Sequence, residues 1–390
     1  MTMATKNEIF HRFSSEYLKA SKTRKTAILH TVCDTTGLHR KTAIRKFRAI
    51  QYHDPWTSSP GRGRPRLYTP DVIAALKCVW DVSSNLCGEL LHPVIPEYVS
   101  VLQRDNFWRY GAETTRKLCA MSEGSVKAYV SSFAKFRRKR AGLSSTKPSD
   151  LKEIIPIFTG PWSDKSPGYG QVDTVVHCGS SLIGDLVYTV NYTDIATHWT
   201  IPIAQWNKGQ YATCASLALI QKALPFPLLG LHPDTGSEFI NWFIKDWCDT
   251  EQVELTRSRP CHKNDNAYVE QKNGHVVRRF VGYTRMERRE LVVTLNAVYT
   301  MLTPYLNHFV PTRLCIEKIR IGSRYKRRYD KAQTPFARVI AHPHVSSTVK
   351  EKLIDEHDKL NPLLLKQNLD MLLKQLLKDI KDYDTLSSLR

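Results

Sequence analysis

The chain has 390 residues, of which 42% are hydrophobic and 24% charged, and this ordinary composition argues against wholesale disorder. Its 57 Lys and Arg residues outnumber 37 Asp and Glu residues, and the formal net charge of +20 is typical of a protein that binds a polyanion such as nucleic acid. No run approaches the roughly 18 apolar residues that cross a bilayer, and the first residues contain no apolar signal region, so we expect a soluble cytoplasmic protein without a membrane partner.

The nine cysteines are scattered and include no Cys-x-x-Cys pair, so the sequence supports neither a disulfide framework nor a zinc site. At roughly 100–200 residues per domain, the length predicts several domains. The charge alone leaves a generally basic enzyme as an alternative to a nucleic-acid-binding protein. Clustering of the basic residues favours nucleic-acid binding.

Residues 1–52 are predicted to form a helix-turn-helix DNA-binding domain. Helical periodicity runs through residues 8–48, a turn is expected at Thr36-Gly37, and a second helix begins near His39. This second helix is basic and could lie in a major groove, although a basic surface helix in a bundle is the alternative. Its predicted DNA contacts are Arg40, Lys41, Arg45 and Lys46.

Residues 53–68 have the composition of a basic linker. The tetrapeptide Arg62-Gly63-Arg64-Pro65 resembles the core of an AT-hook, which would place Arg62 and Arg64 in a narrow minor groove. The match is four residues long, so an ordinary flexible linker remains the alternative.

Residues 69–140 are predicted to form a second helix-turn-helix domain, followed by a linker at 141–164. Thr69 and Pro70 suit the start of one helix, and Ser122 suits the cap of a later one. That later helix leads into a basic cluster. The DNA contacts predicted in this domain are Lys127, Arg137 and Arg138.

Residues 165–310 are predicted to form an α/β core with a mixed sheet. Three β-rich runs, GQVDTVVH, DLVYTVNYTD and THWTIPIA, are joined by short polar turns and indicate an antiparallel meander. Helical and extended segments then alternate, which predicts further strands with helices packed on the sheet.

Three carboxylates in this core are candidate metal ligands. Asp173 lies mid-strand among neutral side chains, where a carboxylate needs a partner. Asp234 follows the apolar run LLGL, and the ends of strands are where α/β sheets gather ligands. Glu270 lies one turn into a predicted helix, with 35 residues between it and Asp234. Carboxylate oxygens are the ligands that Mg²⁺ prefers.

This region resembles the catalytic cores of DDE-type transposases of bacterial insertion sequences and of retroviral integrases, in which the last two acids are separated by the same interval. The phrases HPDTGSEFIN and RSRPCHKNDNAYVEQKN carry the resemblance, which covers roughly residues 165–310. Thr235 departs from the family's usual Asn, which affects fine positioning, and Pro233 favours an extended backbone before Asp234.

The resemblance implies a ribonuclease-H-like core in which Asp173, Asp234 and Glu270 are the catalytic residues and hold two Mg²⁺ ions, with Mn²⁺ as a substitute. We therefore expect a multidomain protein with N-terminal all-α modules, this α/β core, a small basic C-terminal module and a C-terminal helix. Further DNA contacts are predicted near the core at Lys263, Lys272 and Arg278.

Neighbouring polar residues are expected to be structural. Turn, cap or surface positions are expected for Asp185, Asp194, Glu238 and Asp265, although Glu238 and Asp265 are close enough in sequence to shape the site. His177 and His232 are expected to be hydrogen-bonded structural histidines.

The C-terminal part divides into a basic segment, 311–345, and a leucine-rich helical tail, 346–390. Lys326, Arg327 and Arg328 are predicted to bind DNA, with a solvated basic loop as the alternative. The tail is too apolar to stand alone in water. It either packs within the chain or pairs with a second copy, and the second is favoured because joining two DNA ends requires two protomers.

These features predict a bacterial, nucleoid-associated transposase that binds the terminal repeats of a mobile element. It would catalyse 3′-end cleavage and strand transfer into target DNA as a homo-oligomer, at least a dimer on paired ends. One alternative is a catalytically inactive DNA-binding regulator. Another is a ribonuclease-H-like nuclease that only hydrolyses DNA.

Overall fold

The computed structural model describes residues 2–52, 67–133, 155, 156, 158, 165–259, 266–321 and 324–387. The chain divides into two compact units, residues 1–67 and 68–390. Several predicted contacts and most of both predicted linkers lie outside the described residues. These contacts are Arg62, Arg64, Arg137, Arg138 and Lys263, and Asp265, for which a turn, cap or surface position is expected, also lies outside the described residues.

The first unit contains three helices around a small hydrophobic core. The helices are α1 (Met3–Lys19), α2 (Lys22–Thr36) and α3 (Arg40–Tyr52). Phe10 and Phe47 meet edge to face in the core, with ring centroids 4.9 Å apart. Gly37 ends α2 at φ 67°, a left-handed conformation that glycine adopts at little cost. The turn predicted at Thr36-Gly37 therefore lies between α2 and α3.

The basic side chains of α3 differ in their surroundings. Arg40, Lys41 and Arg45 are exposed to solvent. Lys46 is half-buried, because its Nζ donates to Asn7 Oδ1 at 2.6 Å and lies over the ring of Phe10. The exposed face of α3 thus presents three of its four predicted DNA contacts.

The second unit begins with five helices. They are α4 (Pro70–Val82), α5 (Gly88–Leu91), α6 (Ile95–Arg104), α7 (Ala112–Cys119) and α8 (Glu123–Phe133). The Ser122 hydroxyl accepts from the backbone N–H of Ser125, as expected of a cap. Side chains of α4 to α8 share one hydrophobic core with later helices of the chain. The segment predicted as a second DNA-binding domain is therefore packed into the same unit as the α/β core.

A five-stranded mixed sheet forms the centre of the second unit. Its strands are β1 (Tyr169–Val176), β2 (Val187–Asp194), β3 (Thr200–Trp206), β4 (Gly230–Pro233) and β5 (Glu254–Leu255). Their order across the sheet is β3-β2-β1-β4-β5, in which β1–β2 and β2–β3 are antiparallel while β1–β4 and β4–β5 are parallel. The antiparallel meander and the two further strands agree with the sequence prediction.

Helices cover both faces of the sheet. They are α9 (Gln210–Ala223), α10 (Trp242–Thr250), α11 (Ala267–Lys272), which continues as a π-helical segment (Asn273–Arg278), and α12 (Leu291–Phe309). Alternate strand residues face different cores: Val172 packs with α9 and Val175 with α12. The protein therefore has helical N-terminal modules and a ribonuclease-H-like α/β core, which confirms the predicted fold class.

The C-terminal part contains a basic hairpin and three helices. They are β6 (Cys315–Ile321), β7 (Arg324–Tyr329), α13 (Pro335–Ala341), α14 (Ser347–Lys359) and α15 (Pro362–Ser387). Strands β6 and β7 pair antiparallel as a sheet separate from the five-stranded one. No helix in the described part of the chain combines the length and apolar character needed to cross a membrane.

The leucine-rich helix α15 packs on α12 of its own chain. Leu365, Leu369, Leu376 and Ile380 are buried in the core that α12 also lines. The preference for pairing with a second copy is thus corrected, because the apolar face of the tail is covered within the chain.

Candidate active site

Asp173 lies in the middle of β1, on the strand face that the helix α11 covers. Its Oδ1 accepts from the backbone N–H of Thr174 at 2.8 Å, and its Oδ2 accepts from Asn273 Nδ2 at 2.6 Å. Both donors are neutral. The Asp173 carboxylate is therefore oriented by hydrogen bonds without being neutralised by them.

Asp234 is brought beside Asp173 by the pairing of two parallel strands. Val172 of β1 is in register with Pro233, the last residue of β4. The residue after each of them is an aspartate, Asp173 in β1 and Asp234 directly after β4. Asp234 Oδ1 accepts from the backbone N–H of Gly236 at 2.8 Å, which holds the carboxylate in a tight turn. Burial and the negative charge of Asp234 both raise the pKa of Asp173.

Glu270 lies on α11, which is docked onto β1 by its first turn. The backbone N–H groups of Tyr268 and Val269 donate to Gln171 Oε1, and Gln171 is two residues before Asp173 on the same strand face. Asn273, which donates to Asp173, follows Glu270 by three residues and therefore lies on the same side of the helix. The Glu270 side chain itself is exposed.

Glu238 is a further acidic residue of this site. Its Oε1 accepts from the Thr174 hydroxyl at 2.7 Å, its Oε2 is 4.0 Å from Lys208 Nζ, and its charge contributes to the raised pKa of Asp173. A Cβ atom on Gly236 would lie 2.8 Å from both Asp234 Oδ1 and Glu238 Oε2, so a larger residue there would displace these carboxylates from their present positions. The sequence predicts a turn, cap or surface position for Glu238, close enough to Asp234 in the sequence to shape the site. Its position in the same phrase as Asp234 was the signal for a site role.

The carboxylate oxygens of this site are the ligands that a divalent cation such as Mg²⁺ prefers. Asp173 is half-buried beside the like-charged Asp234, and a bound cation would relieve that repulsion. Within the described ranges, no three His, Cys, Asp or Glu side chains lie close enough together to hold a metal ion. The structure therefore brings the two aspartates together and leaves the Glu270 carboxylate on the adjacent helix.

Comparison with known proteins gives a family and a fold neighbour. No protein-family model matches this chain. The chain is 36% identical over 345 residues to the uncharacterized protein y4rM of Sinorhizobium fredii, and the match covers 87% of this chain and 96% of that protein. The chain belongs to the y4rM family.

Among solved structures, this y4rM-family chain is similar to the HTLV-2 integrase catalytic core domain in complex with magnesium. The dimeric form of that domain is 13% identical, with a TM-score of 0.29, and the match covers 37% of this chain and 90% of that one. The trimeric form is 14% identical, with a TM-score of 0.28, over 36% of this chain and 86% of that one.

The other polar residues singled out in the y4rM-family core have structural partners. Asp194 accepts from the backbone N–H of Gly168 and from Thr197, and Asp185 accepts from Asn207. His177 bonds to the Thr189 hydroxyl. His232 bonds to the hydroxyls of Thr256 and Ser258. These four residues are structural, as the sequence analysis expected.

The DNA contacts predicted in the second unit lie in three different environments. Lys127 forms an ion pair with Glu89 at 2.6 Å. Lys272 is buried, and Arg278 donates to the backbone carbonyl of Val176 at 2.8 Å. Solvent-exposed positions on β7 are occupied by Lys326, Arg327 and Arg328.

If Asp173 is a metal ligand, replacing Asn273 with Ala is expected to raise the Mn²⁺ concentration needed for half-saturation of the site about 10–100-fold, because hydrogen bonds that orient a metal-binding carboxylate contribute this much to affinity. The variant would lose the donor to Asp173, and Asn191 would lose its bond to Asn273 Oδ1. The melting temperature measured over a Mn²⁺ titration gives the shift. Gln221→Ala is the control, since it removes a surface amide–carboxylate bond to Glu251. Equal effects of both substitutions would contradict a positioning role for Asn273.

Proposed function

We propose that this y4rM-family protein is a DDE-type DNA transposase that cleaves the 3′ ends of a mobile element and transfers them into target DNA. The observation that carries the proposal is the juxtaposition of Asp173 and Asp234 on adjacent parallel strands. The bond from Asn273 to Asp173 supports it, because it ties the helix that carries Glu270 to the same strand.

Asp173, Asp234 and Glu270 are the residues that would hold two Mg²⁺ ions, with Mn²⁺ as a substitute. Divalent cations there would stabilise the negative charge that develops on the attacking and leaving oxygens of a phosphodiester. The protein's own groups prepare this site: Asn273 orients Asp173, the Gly236 N–H orients Asp234, and Thr174 holds Glu238 beside them. Fixed ligands of this kind need no rearrangement when the substrate arrives.

Double-stranded DNA is the proposed partner, both as element ends and as target. The exposed face of α3, with Arg40, Lys41 and Arg45, suits a major groove. Exposed Lys326, Arg327 and Arg328 on β7 suit the phosphate backbone. Action on two ends requires at least a dimer, and we propose that the protein works in the bacterial cytoplasm on the nucleoid.

The test is a cleavage and joining assay with labelled duplexes taken from the DNA that flanks the gene, together with a supercoiled plasmid and Mg²⁺ or Mn²⁺. Nicking at a 3′ end followed by covalent insertion of the label into plasmid is the expected result. Binding without cleavage would instead identify a DNA-binding regulator. Hydrolysis without joining would identify a nuclease.

The stability of the metal-free protein is expected to fall as the pH rises above the range in which Asp normally titrates. Burial and Asp234 raise the pKa of Asp173 in the folded state. This group therefore contributes stability below its unfolded pKa, about 3.9, and the contribution is lost as the pH rises through the higher folded value.

Mg²⁺ should reverse this loss, so the rise in melting temperature on adding Mg²⁺ should be larger at pH 8 than at pH 5. At 100 times its dissociation constant a bound ion contributes about 2.7 kcal/mol. Thermal unfolding with and without Mg²⁺ measures both effects. The Asp173→Asn variant should show a flatter pH dependence and no metal response, and an unchanged response would exclude Asp173 as a ligand.

Replacing Arg45 with Ala is expected to weaken binding of element ends and to lower the slope of log affinity against log salt by about 1, because one phosphate contact is lost. Metal-dependent nicking of non-specific DNA should be largely retained, since Arg45 belongs to the first unit and the carboxylates to the second. Fluorescence anisotropy over a salt series measures the slope. Arg12→Ala removes an exposed arginine from α1 and is the matched control. Equal losses of end binding and nicking in Arg45→Ala would contradict separate modules.

A further inference from the structure

A cavity of about 280 Å³ lies in the second unit, on another side of the helix that carries Glu270. Its walls come from α5 and the turn before it, the β2–β3 turn, the α11 and π-helical segment, and the end of α12. Asn273 points from this helix to Asp173, whereas Lys272, Val276 and Arg279 line the cavity. One helix therefore contributes to two separate sites.

The cavity concentrates positive charge. Lys272 is 8% exposed, and within the described residues no carboxylate forms an ion pair with it. Arg313 lines the same cavity. Its Nε is buried without a hydrogen-bond partner among the described residues, and its Nη2 is 3.9 Å from Glu123 Oε1. Glu89 also lines the cavity but is bonded to Lys127 at 2.6 Å. Burying the Lys272 ammonium group in this way is costly unless an anion joins it, and Arg313 adds a half-buried guanidinium to the same cavity.

His198 provides an independent sign of a ligand. This residue is 3% exposed and lines the cavity, and neither of its ring nitrogens has a hydrogen-bond partner among the described residues. Burial, together with the charges of Lys272 and Arg338, holds the pKa of His198 well below its ordinary value, so the ring is neutral and offers one donor and one acceptor. Buried polar groups are rarely left without partners in folded proteins.

The rest of the cavity is apolar. Leu90, Val276, Phe280, Leu306 and Pro311 form this part of the wall. A small inorganic anion would leave that surface unused. The cavity volume of about 280 Å³ is just below the range of roughly 300–1,000 Å³ that ligand pockets span, so the ligand must be small. A ligand with a compact anionic group and one flat ring system matches both the charge and the size.

We propose that this cavity binds one nucleotide unit, with its phosphate on Lys272 and Arg313, a hydrogen bond to His198, and its base against the apolar wall. The unit can come from a free mononucleotide or from a strand of DNA bound at the neighbouring carboxylates. The DNA source rests on the proposed transposase function, while the free source does not.

Alkylation of Cys87 tests the proposal directly. Cys87 is an exposed free thiol that lines the cavity, and Cys119 is an exposed free thiol outside it, so the two report on the same protein sample. Deoxyadenosine monophosphate at ten times its Kd should slow iodoacetamide labelling of Cys87 about tenfold by mass action and leave Cys119 unchanged, as read by peptide mass spectrometry.

Three outcomes would overturn the nucleotide assignment. They are no protection of Cys87, equal protection of both cysteines, and protection by inorganic phosphate at the same concentration as by the nucleotide. The last result would mean that the apolar wall contributes nothing.

A pair of matched variants tests the phosphate contact. Arg313→Gln should raise the nucleotide concentration that gives half-protection about tenfold or more, because a charge-assisted bond is lost. Arg116→Gln, which removes an exposed arginine paired with Glu113, should leave that concentration unchanged. Unfolding curves show whether each variant is folded, and unaltered protection in a folded Arg313→Gln protein would contradict the assigned contact.

The source of the nucleotide is distinguished with duplex DNA that carries 2-aminopurine at its end. Increased fluorescence on binding, reversed by excess deoxyadenosine monophosphate, would assign the cavity to an unstacked nucleotide of the strand. Protection of Cys87 by the free nucleotide without this fluorescence change would assign it to a free mononucleotide. Both readouts work without catalysis, so nucleotide binding in a protein that does not nick DNA would support the cavity and reject the transposase.

Discussion

Replacing Asp234 with Asn is expected to abolish metal-dependent cleavage and joining of DNA, with a loss of about 10³-fold or more. Loss of even one group that stabilises developing negative charge typically costs about 10²–10³-fold, and here a charged metal ligand is removed. Asn keeps the size of the side chain and an oxygen that can accept from the Gly236 N–H, so the turn at Asp234 should be preserved. The measurement is the rate of 3′-end nicking in Mg²⁺ and in Mn²⁺.

The stability of the Asp234→Asn protein provides a second readout. Since Asp234 raises the pKa of Asp173, removing its charge relieves repulsion between two carboxylates. The metal-free variant should therefore melt at the same temperature as the parent protein or higher, which is common for residues kept for function. A loss of activity accompanied by a lower melting temperature would instead indicate damage to the fold.

Asp246→Asn is the matched control, because Asp246 is an exposed aspartate on α10, the helix that follows Asp234. Its nicking rate should equal that of the parent protein. Retention of more than a tenth of the parental rate by Asp234→Asn would reject the proposed catalytic role of Asp234.

Replacing Leu369 with Ala is expected to lower the free energy of unfolding by about 2–5 kcal/mol, because deletion of a fully buried leucine leaves a cavity. Leu369 is 0% exposed and lies in the core shared by α15 and α12. Denaturant unfolding measures the loss. A loss of this size would show that the leucine-rich tail is an integral part of the second unit.

Met371, two residues away on the same helix, is 64% exposed and is the control for Leu369. Met371→Ala should change the free energy of unfolding by less than about 0.5 kcal/mol, as is usual for surface substitutions. If Met371→Ala dissociated an oligomer and Leu369→Ala had no effect on stability, the tail would pair between copies as the sequence analysis favoured.

The local features of the active site could be predicted from the sequence. The alternation around Asp173 predicts a strand, and the apolar run before Asp234 predicts a strand that ends at that residue. The spacing and flanking phrases of Asp234 and Glu270 single out both acids. Short-range patterns suffice here, because a strand or a helix start depends mainly on the nearest few residues.

Partners that are distant in the chain could not be predicted in the same way. The bond between Asn273 and Asp173 joins residues 100 positions apart, and the bond between Thr174 and Glu238 joins residues 64 positions apart. Neither pair has a spacing that a helix or a strand would produce. The closeness of Glu238 to Asp234 in the sequence indicates that it can shape the site, whereas its bond to Thr174 and the contribution of Asn273 follow only from the pairing of the strands and the docking of α11.

The sequence alone determined the main helices and strands of this protein, its surplus of basic residues and the three acids on which the proposed chemistry depends. The tertiary structure decided that β4 pairs with β1 and sets Asp234 beside Asp173, that α15 buries its leucines on α12, and that Lys272 faces a cavity with His198. The physical reason is that local conformation follows from neighbouring residues. Contacts across the fold instead depend on which apolar faces pack together, and many sequences of similar pattern could pack in other ways.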